Sequence, residues 1–207
     1  MKFAGFEAED FDALTVEGLE PRMEAIIGQI RPKLTELGEQ LSPFLSAICG
    51  QPMYPHVAKH ARRTVNPPDD TWVAWASHKR GYKAHPHFQI GLWSTHLFIQ
   101  FAIIYESTNK AVFANNLLKC MDEVYPSIPD HFYWSNDHTR PDTVQHQAMS
   151  EEILGDWMDK LKRVKKAETL CGLRIERDDP VLRDGHRFIR LAEQTFETLI
   201  PLYRISF

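Results

Sequence analysis

The stretch HFQIGLWSTHLFIQF, residues 87–101, constrains the fold more than any other. Apolar and polar residues alternate on both sides of Ser94-Thr95, with the side-chain period of a strand, and only those two residues are left to turn the chain. A two-residue hairpin places Leu92 opposite Leu97, Ile90 opposite Ile99 and Phe88 opposite Phe101, so one face is wholly apolar and must lie on a core. The other face presents His85, His87, Gln89, Gly91 and Trp93 beside His96, Phe98, Gln100, Ala102, Ile104 and Glu106. Gln89 then faces Gln100, and His87 faces the small Ala102. Such a polar, aromatic surface can serve as the floor of a ligand site or lie under a covering loop.

The segments HVAKHA, TWVAWASHK, HLFIQFAIIYE, HFYWSND and TLCGLRIER also read as strands. The intervening NPPDD holds two prolines that cannot donate to a ladder, which makes it a turn or loop. Before this block, Leu19, Met23, Ile26, Ile27, Ile30, Leu34, Leu37, Leu41, Phe44, Leu45 and Ile48 recur at helical spacing. Pro32 and Pro43 should kink that helix, and Gly50 should end it. Helices are expected from about Thr108 to Val124 and from about Ser150 to Lys166, with HTRPDTVQHQ between them as a polar loop. A closing helix starts at Asp179 as N-cap with Pro180 in its first turn. The expectation is one α+β domain over residues 1–207. It has a mainly antiparallel sheet of about five or six strands. A long kinked N-terminal helix, two middle helices and a C-terminal helix pack on the sheet's apolar face.

With 43% hydrophobic and 25% charged residues, the 207-residue chain has ordinary globular composition and can bury one core. It lacks an apolar run of roughly eighteen residues, and its start, MKFAGFEAEDFDAL, has no signal-peptide layout. A cytoplasmic protein without membrane partners is the expectation. Cys49, Cys120 and Cys171 are far apart, with no CxxC spacing, and imply neither a disulfide framework nor a zinc site. No cofactor is implied, since GxxxxGK[ST], GxGxxG and G-x-S-x-G patterns are all missing.

Charge is the informative part of the composition. The net formal charge is -4, yet His56 to His96 holds Lys59, Arg62, Arg63, Lys79, Arg80 and Lys83 against Asp69 and Asp70. That segment is +4 inside a remainder of -8, and it also holds His56, His60, His78, His85, His87 and His96. A local basic stretch in an acidic protein points to a local anionic partner. The candidate ligand-binding set is therefore His56, Lys59, His60, Arg62, Arg63, Lys79, Arg80, Lys83, His85, His87, Gln89, Trp93, His96 and Gln100.

Three readings share this set. In the first, the cations hold a phosphate-bearing small molecule or nucleic acid while Trp72, Trp75, Tyr82 and Trp93 offer stacking surfaces. The cluster Lys160, Lys162, Arg163, Lys165 and Lys166 extends that patch or complements the negative end of its own helix. In the second, His85 and His87, roughly 7 Å apart along one strand, present two imidazoles to a hydrolytic metal. A third ligand would come from His56, His60, His96 or Glu106. In the third, the basic residues pair internally and bind nothing.

The stretches FAGFEAEDFDAL, HVAKHARRTVNPPDDTWVAW and KRGYKAHPHFQIGLWSTH, in that order, resemble the YktB-like family of uncharacterised bacterial proteins, domain of unknown function 1054. The resemblance runs the length of the chain. It implies a compact cytoplasmic α+β domain. It implies no activity, and no functional residue is carried over from it.

Overall fold

The computed structural model describes residues 3–207. Helix α1 (Ala8–Asp12) leads into α2 (Leu19–Ala25) and α3 (Arg31–Cys49), which a π turn over Ile26–Ile30 joins into one continuous helical segment. Strands β1 (Tyr54–Val57), β2 (Asp70–Ala76), β3 (His87–Trp93) and β4 (His96–Ile103) follow. Next come α4 (Lys110–Lys119), α5 (Met121–Val124), β5 (Tyr133–Ser135), β6 (Val144–Gln145) and α6 (Glu151–Arg163). Strand β7 (Thr169–Glu176) and α7 (Gly185–Arg204) complete the fold. It is α+β, and the sheet has seven strands in the order β1-β2-β3-β4-β7-β5-β6, every pairing antiparallel.

The β3–β4 register is the expected one, with Phe88 beside Phe101, Gln89 beside Gln100 and His87 beside Ala102. The inward residues Val73, Trp75, Phe88, Ile90, Leu92, Leu97, Ile99 and Phe101 are all buried in one core. Against them α3 sets Leu34, Leu37, Leu41 and Leu45, and α7 sets Phe188, Ala192, Phe196 and Leu199. Aromatic rings carry the contact between α7 and the sheet. Phe196 lies 5.1 Å from Phe88 and 5.8 Å from Trp75, centroid to centroid, both edge-on. Trp75 also donates its Nε1–H to the Gly38 carbonyl at 3.0 Å, which satisfies the one polar atom this face buries with the ring. A Cβ at Gly38 would come 3.0 Å from Pro55, so the glycine lets α3 sit close on β1.

Several boundaries differ from expectation for local reasons. The count of strands rises to seven because β6 is only two residues long and sits in a polar stretch. Strand β1 stops at Val57, and the chain leaves the sheet through His60 at φ +53°. Pro32 sits where the irregular π turn passes into α3, and Pro43 lies inside α3, which runs unbroken past it to Cys49. Gly50 ends α3 in the left-handed conformation, as expected. Asp179 and Pro180 start only a single 3-10 turn. The true cap of α7 is Asp184, whose carboxylate accepts the His186 and Arg187 N–H groups. The first middle helix is divided at Cys120 into α4 and α5.

Truncating Phe196 to Ala should leave a cavity facing Phe88 and Trp75 and cost about 3–5 kcal/mol. Urea unfolding followed by circular dichroism should show a lower midpoint with an unchanged slope.

Candidate functional site: a cleft over the polar sheet face

On the face away from α3 and α7, the central strands present Asp70 and Trp72 (β2), Gln89, Gly91 and Trp93 (β3), Phe98 and Gln100 (β4) and Tyr133 (β5). Gly91 is required there: a Cβ would meet the Phe98 ring at 2.3 Å and the Thr71 carbonyl at 2.7 Å. A chain of hydrogen bonds runs through this floor. His87 donates Nδ1–H to the His85 carbonyl at 2.8 Å and accepts from Gln89 Nε2 at 3.1 Å. Gln100 donates to Gln89 Oε1 at 2.7 Å, and the Tyr133 hydroxyl donates to Gln100 Oε1 at 2.6 Å. The side chains of His87, Gln89, Gln100 and Tyr133 are all buried, so the network fixes them and the His87 tautomer together. Burial drives the His87 pKa down to about 3, and the ring is neutral at any ordinary pH.

Two loops wall the floor, residues 58–69 and residues 136–143. Between them lies a cleft of about 660 Å³, within the range of small-molecule sites. Lys59, Arg62 and Arg63 from the first loop line it together with Lys83, His138, Thr139, Trp72 and Trp93. The cleft narrows past Asp70, Trp72, Trp93 and His138 into a pit of about 20 Å³, room for one water, ending at Gln89, His96, Gln100 and Tyr133. The first loop is anchored by Arg22, which donates to the Val16 and Pro68 carbonyls and pairs with Asp69 at 3.2 Å. Its His60 ring holds Thr71 Oγ1 at 3.1 Å and stands edge-on to Trp72 at 5.5 Å.

The second loop is anchored by an ion pair. Glu168 is buried beside β7, and its carboxylate receives the His138 ring Nδ1–H at 2.7 and 2.9 Å. The backbone N–H groups of His138, at 3.0 Å, and Tyr105, at 3.3 Å, donate to it as well. With Nδ1 committed to Glu168, the other ring nitrogen of His138 is the one available to the cleft. Burial works against a charged His138, but the Glu168 hydrogen bond and charge, with help from Asp70, outweigh it and raise its pKa above 6.5. Asp70 is raised too, but there burial is the cause. Enclosure pushes its carboxyl up to about 7, against the pull of His138 and Arg63 and with the push of Asp69. Asp137, His138 and Glu168 also bring ligand atoms within 4.8 Å of one another, so this corner has the donor set for a divalent cation.

The model of a domain of unknown function, DUF1054, matches residues 6–203. The chain belongs to the DUF1054 family. It is 50% identical over 201 residues to a UPF0637 protein of Bacillus velezensis, spanning 97% of this chain and 96% of that one. A UPF0637 protein of Bacillus licheniformis is 48% identical over 97% and 95% of the two chains. One of Bacillus cytotoxicus is 47% identical over 99% of each. The resemblance seen in the sequence therefore holds, and DUF1054 brings no activity with it.

In this DUF1054 chain the cleft gathers Lys59, His60, Arg62, Arg63, Lys83 and Trp93 on its walls, with Gln89, His96 and Gln100 at its inner end. It does not gather the rest. His56 bonds the His78 carbonyl at 2.9 Å, and Lys79 lies over the Tyr54 ring at 5.3 Å. Arg80 and His85 line a separate shallow depression, where His85 stacks on His78 at 5.1 Å. Both nitrogens of His87 are engaged, which leaves no lone pair for a metal. Trp75 faces the core, so the stacking surfaces are Trp72, Tyr82 and Trp93. In the C-terminal basic cluster, Lys162 and Arg163 pair with Asp159, and Lys160 and Lys166 line another hollow. Sequence reasoning missed Asp70, His138 and Glu168 as site residues. Thirty positions separate His138 from Glu168, and no spacing signal announces the pair.

Asp70 also sets a pH dependence. Its folded pKa, about 7, lies above the unfolded 3.8, so the native state holds the proton more tightly and stability falls as pH rises through that window. Asp70→Asn should therefore be more stable than the parent at pH 8, and the gain should shrink toward zero as pH drops to about 4. Urea midpoints of the two proteins across that range check this.

Proposed function

We propose that this chain is a single cytoplasmic domain whose cleft binds a small phosphate-bearing molecule with a ring. The observation that carries the reading is the pairing of unmatched cations with aromatic faces in one concavity. Among the described residues, Lys59, Arg62 and Arg63 form no ion pair with a carboxylate, whereas Lys83 pairs with Glu106 at 3.4 Å and Asp69 with Arg22. His60 and His96 add little charge, because burial lowers both to about 4, and the raised His138 is matched by its Glu168 partner. The positive field is therefore that of Arg and Lys, and Arg offers the planar fork that fits phosphate oxygens. Trp72 and Trp93 supply stacking surface between the cations and the pit.

A small molecule fits better than a nucleic acid. The cations Lys59, Arg62 and Arg63 line one concavity of small-molecule size, and Arg80 lines only a shallow hollow that adjoins it at Lys83. Among the described residues no helix is long and apolar enough to cross a membrane.

Phenylphosphonate, which carries the anion and the ring but cannot be hydrolysed, serves as probe. It should quench tryptophan fluorescence saturably and bind more tightly than inorganic phosphate. Its affinity should fall with added salt and by about tenfold or more in the R62E/R63E double variant. Affinity indifferent to both salt and charge reversal would remove the reading. Tighter binding of a single-stranded oligonucleotide, lost in the same variant, would replace the small molecule with nucleic acid.

A further inference from the structure

We propose that Asp137, His138 and Glu168 hold a divalent cation of the zinc class at the corner where loop 136–143 meets β7. This goes beyond the cleft reading and does not depend on what the cleft binds. The donor set is the first support. One ligand atom from each of the three residues lies within 4.8 Å of the other two. Ligands about 2 Å from one ion stand up to about 4 Å apart, so a small contraction closes the set on a single cation. An imidazole with two carboxylates suits zinc or manganese better than magnesium or calcium, which favour shells made wholly of oxygen.

Each carboxylate ligand is also aimed by a partner outside the set. Asp137 Oδ1 accepts the Thr139 N–H at 2.9 Å and the Thr139 hydroxyl at 2.6 Å, which leaves Oδ2 free of hydrogen bonds. Glu168 is oriented by the backbone N–H groups of His138 and Tyr105. His138 Nδ1 is the ring nitrogen beside Glu168, at 2.7 and 2.9 Å, so the cation takes the place of the proton those two groups share, and that proton leaves to solvent. Asp70 is the independent observation. Its carboxylate is enclosed and lines the same narrow pit as Asp137 and His138, yet among the described residues it has no ion pair and no hydrogen bond from another residue. Asp70, Asp137 and Glu168 thus bring three carboxylates to bear on one imidazole. Arg63, Arg140 and Lys83 act on this corner from farther off, and none is within ion-pair distance of the three. A dication balances such a group better than a single proton does.

The test is calorimetric titration of zinc into the full chain, first stripped with EDTA and dialysed, together with the melting temperature. One equivalent should bind with a micromolar or tighter Kd, and saturating zinc should raise the melting temperature. Asp137→Asn is the deciding variant. It keeps an oxygen for Thr139 and leaves the Glu168–His138 pair in place, so the loop stays anchored. Zinc affinity in it should fall about tenfold or more, and the thermal shift should shrink. His85→Gln removes one ring of the stacked His78–His85 pair, another place where zinc could lodge, and should leave the isotherm unchanged. Manganese binding that Asp137→Asn weakens to the same degree would also support the site. No binding at about 100 μM zinc overturns the inference, as does binding that Asp137→Asn leaves unchanged or His85→Gln abolishes. In each of those outcomes Glu168 and His138 serve only to anchor the loop.

Discussion

The alternation along β3 and β4 is the constraint on which the remainder depends. Because neighbouring side chains on a strand point to opposite faces, the pairing Phe88–Phe101 and Ile90–Ile99 on one side obliges His87, Gln89 and Gln100 to meet on the other. A slip of one position would put Gln89 and Gln100 against Phe196 and Leu199, and Phe88 in the cleft. The apolar side collects α3 and α7, and their burial stabilises the sheet. The polar side, freed from that task, is covered only by loops. Core and cleft are thus two consequences of one register, and the floor inherits its rigidity from the packing behind it.

Rigidity is not shared by everything around the cleft. The floor is a closed hydrogen-bond chain from His85 through His87, Gln89 and Gln100 to Tyr133, with each buried polar atom in it matched. The walls are irregular segments held by a few contacts, Arg22, Arg31 on the Lys59 carbonyl and His60 on Thr71 for one, and Glu168 for the other. Such a division suits a ligand site: the floor defines shape, and the walls, whose exposed cations Lys59, Arg62 and Arg63 make few contacts, can adjust to an occupant.

How much of this the sequence discloses follows the range of the interactions. The register of β3 and β4 was legible because Ser94 and Thr95 leave no other way to turn and because alternation is local. Gly50 was legible because only glycine sits comfortably at a left-handed helix end. Residues whose role depends on distant partners were not. His138 lies in a polar loop that looks unremarkable in one dimension, and its meaning comes from Glu168 on the far side of α6. The six histidines of the central segment illustrate the opposite error. Their density suggested one site, but the strand pleat and the turn at His78–His85 send them to different environments. His87 is sealed in the floor, His85 stacks on His78 outside the cleft, and His60 supports a wall. Proximity in sequence is a poor guide where a chain turns several times within forty residues.

Asp70 decides how the cleft should be understood. A concavity built only to capture an anion gains nothing from a carboxylate in its wall, since even a half-ionised Asp70 repels the ligand that Arg62 and Arg63 attract. An asparagine would keep the size and hydrogen-bonding capacity of the side chain and remove both the repulsion and the desolvation cost. The same reasoning applies to Glu168, since loop 136–143 could have been tied down by neutral groups without burying a charge. Glu168 nevertheless has a structural use, because its carboxylate gathers the His138 ring and two backbone N–H groups and so ties loop 136–143 to β7. Asp70 has no such partner, and its cost to the fold is what its pH dependence would reveal.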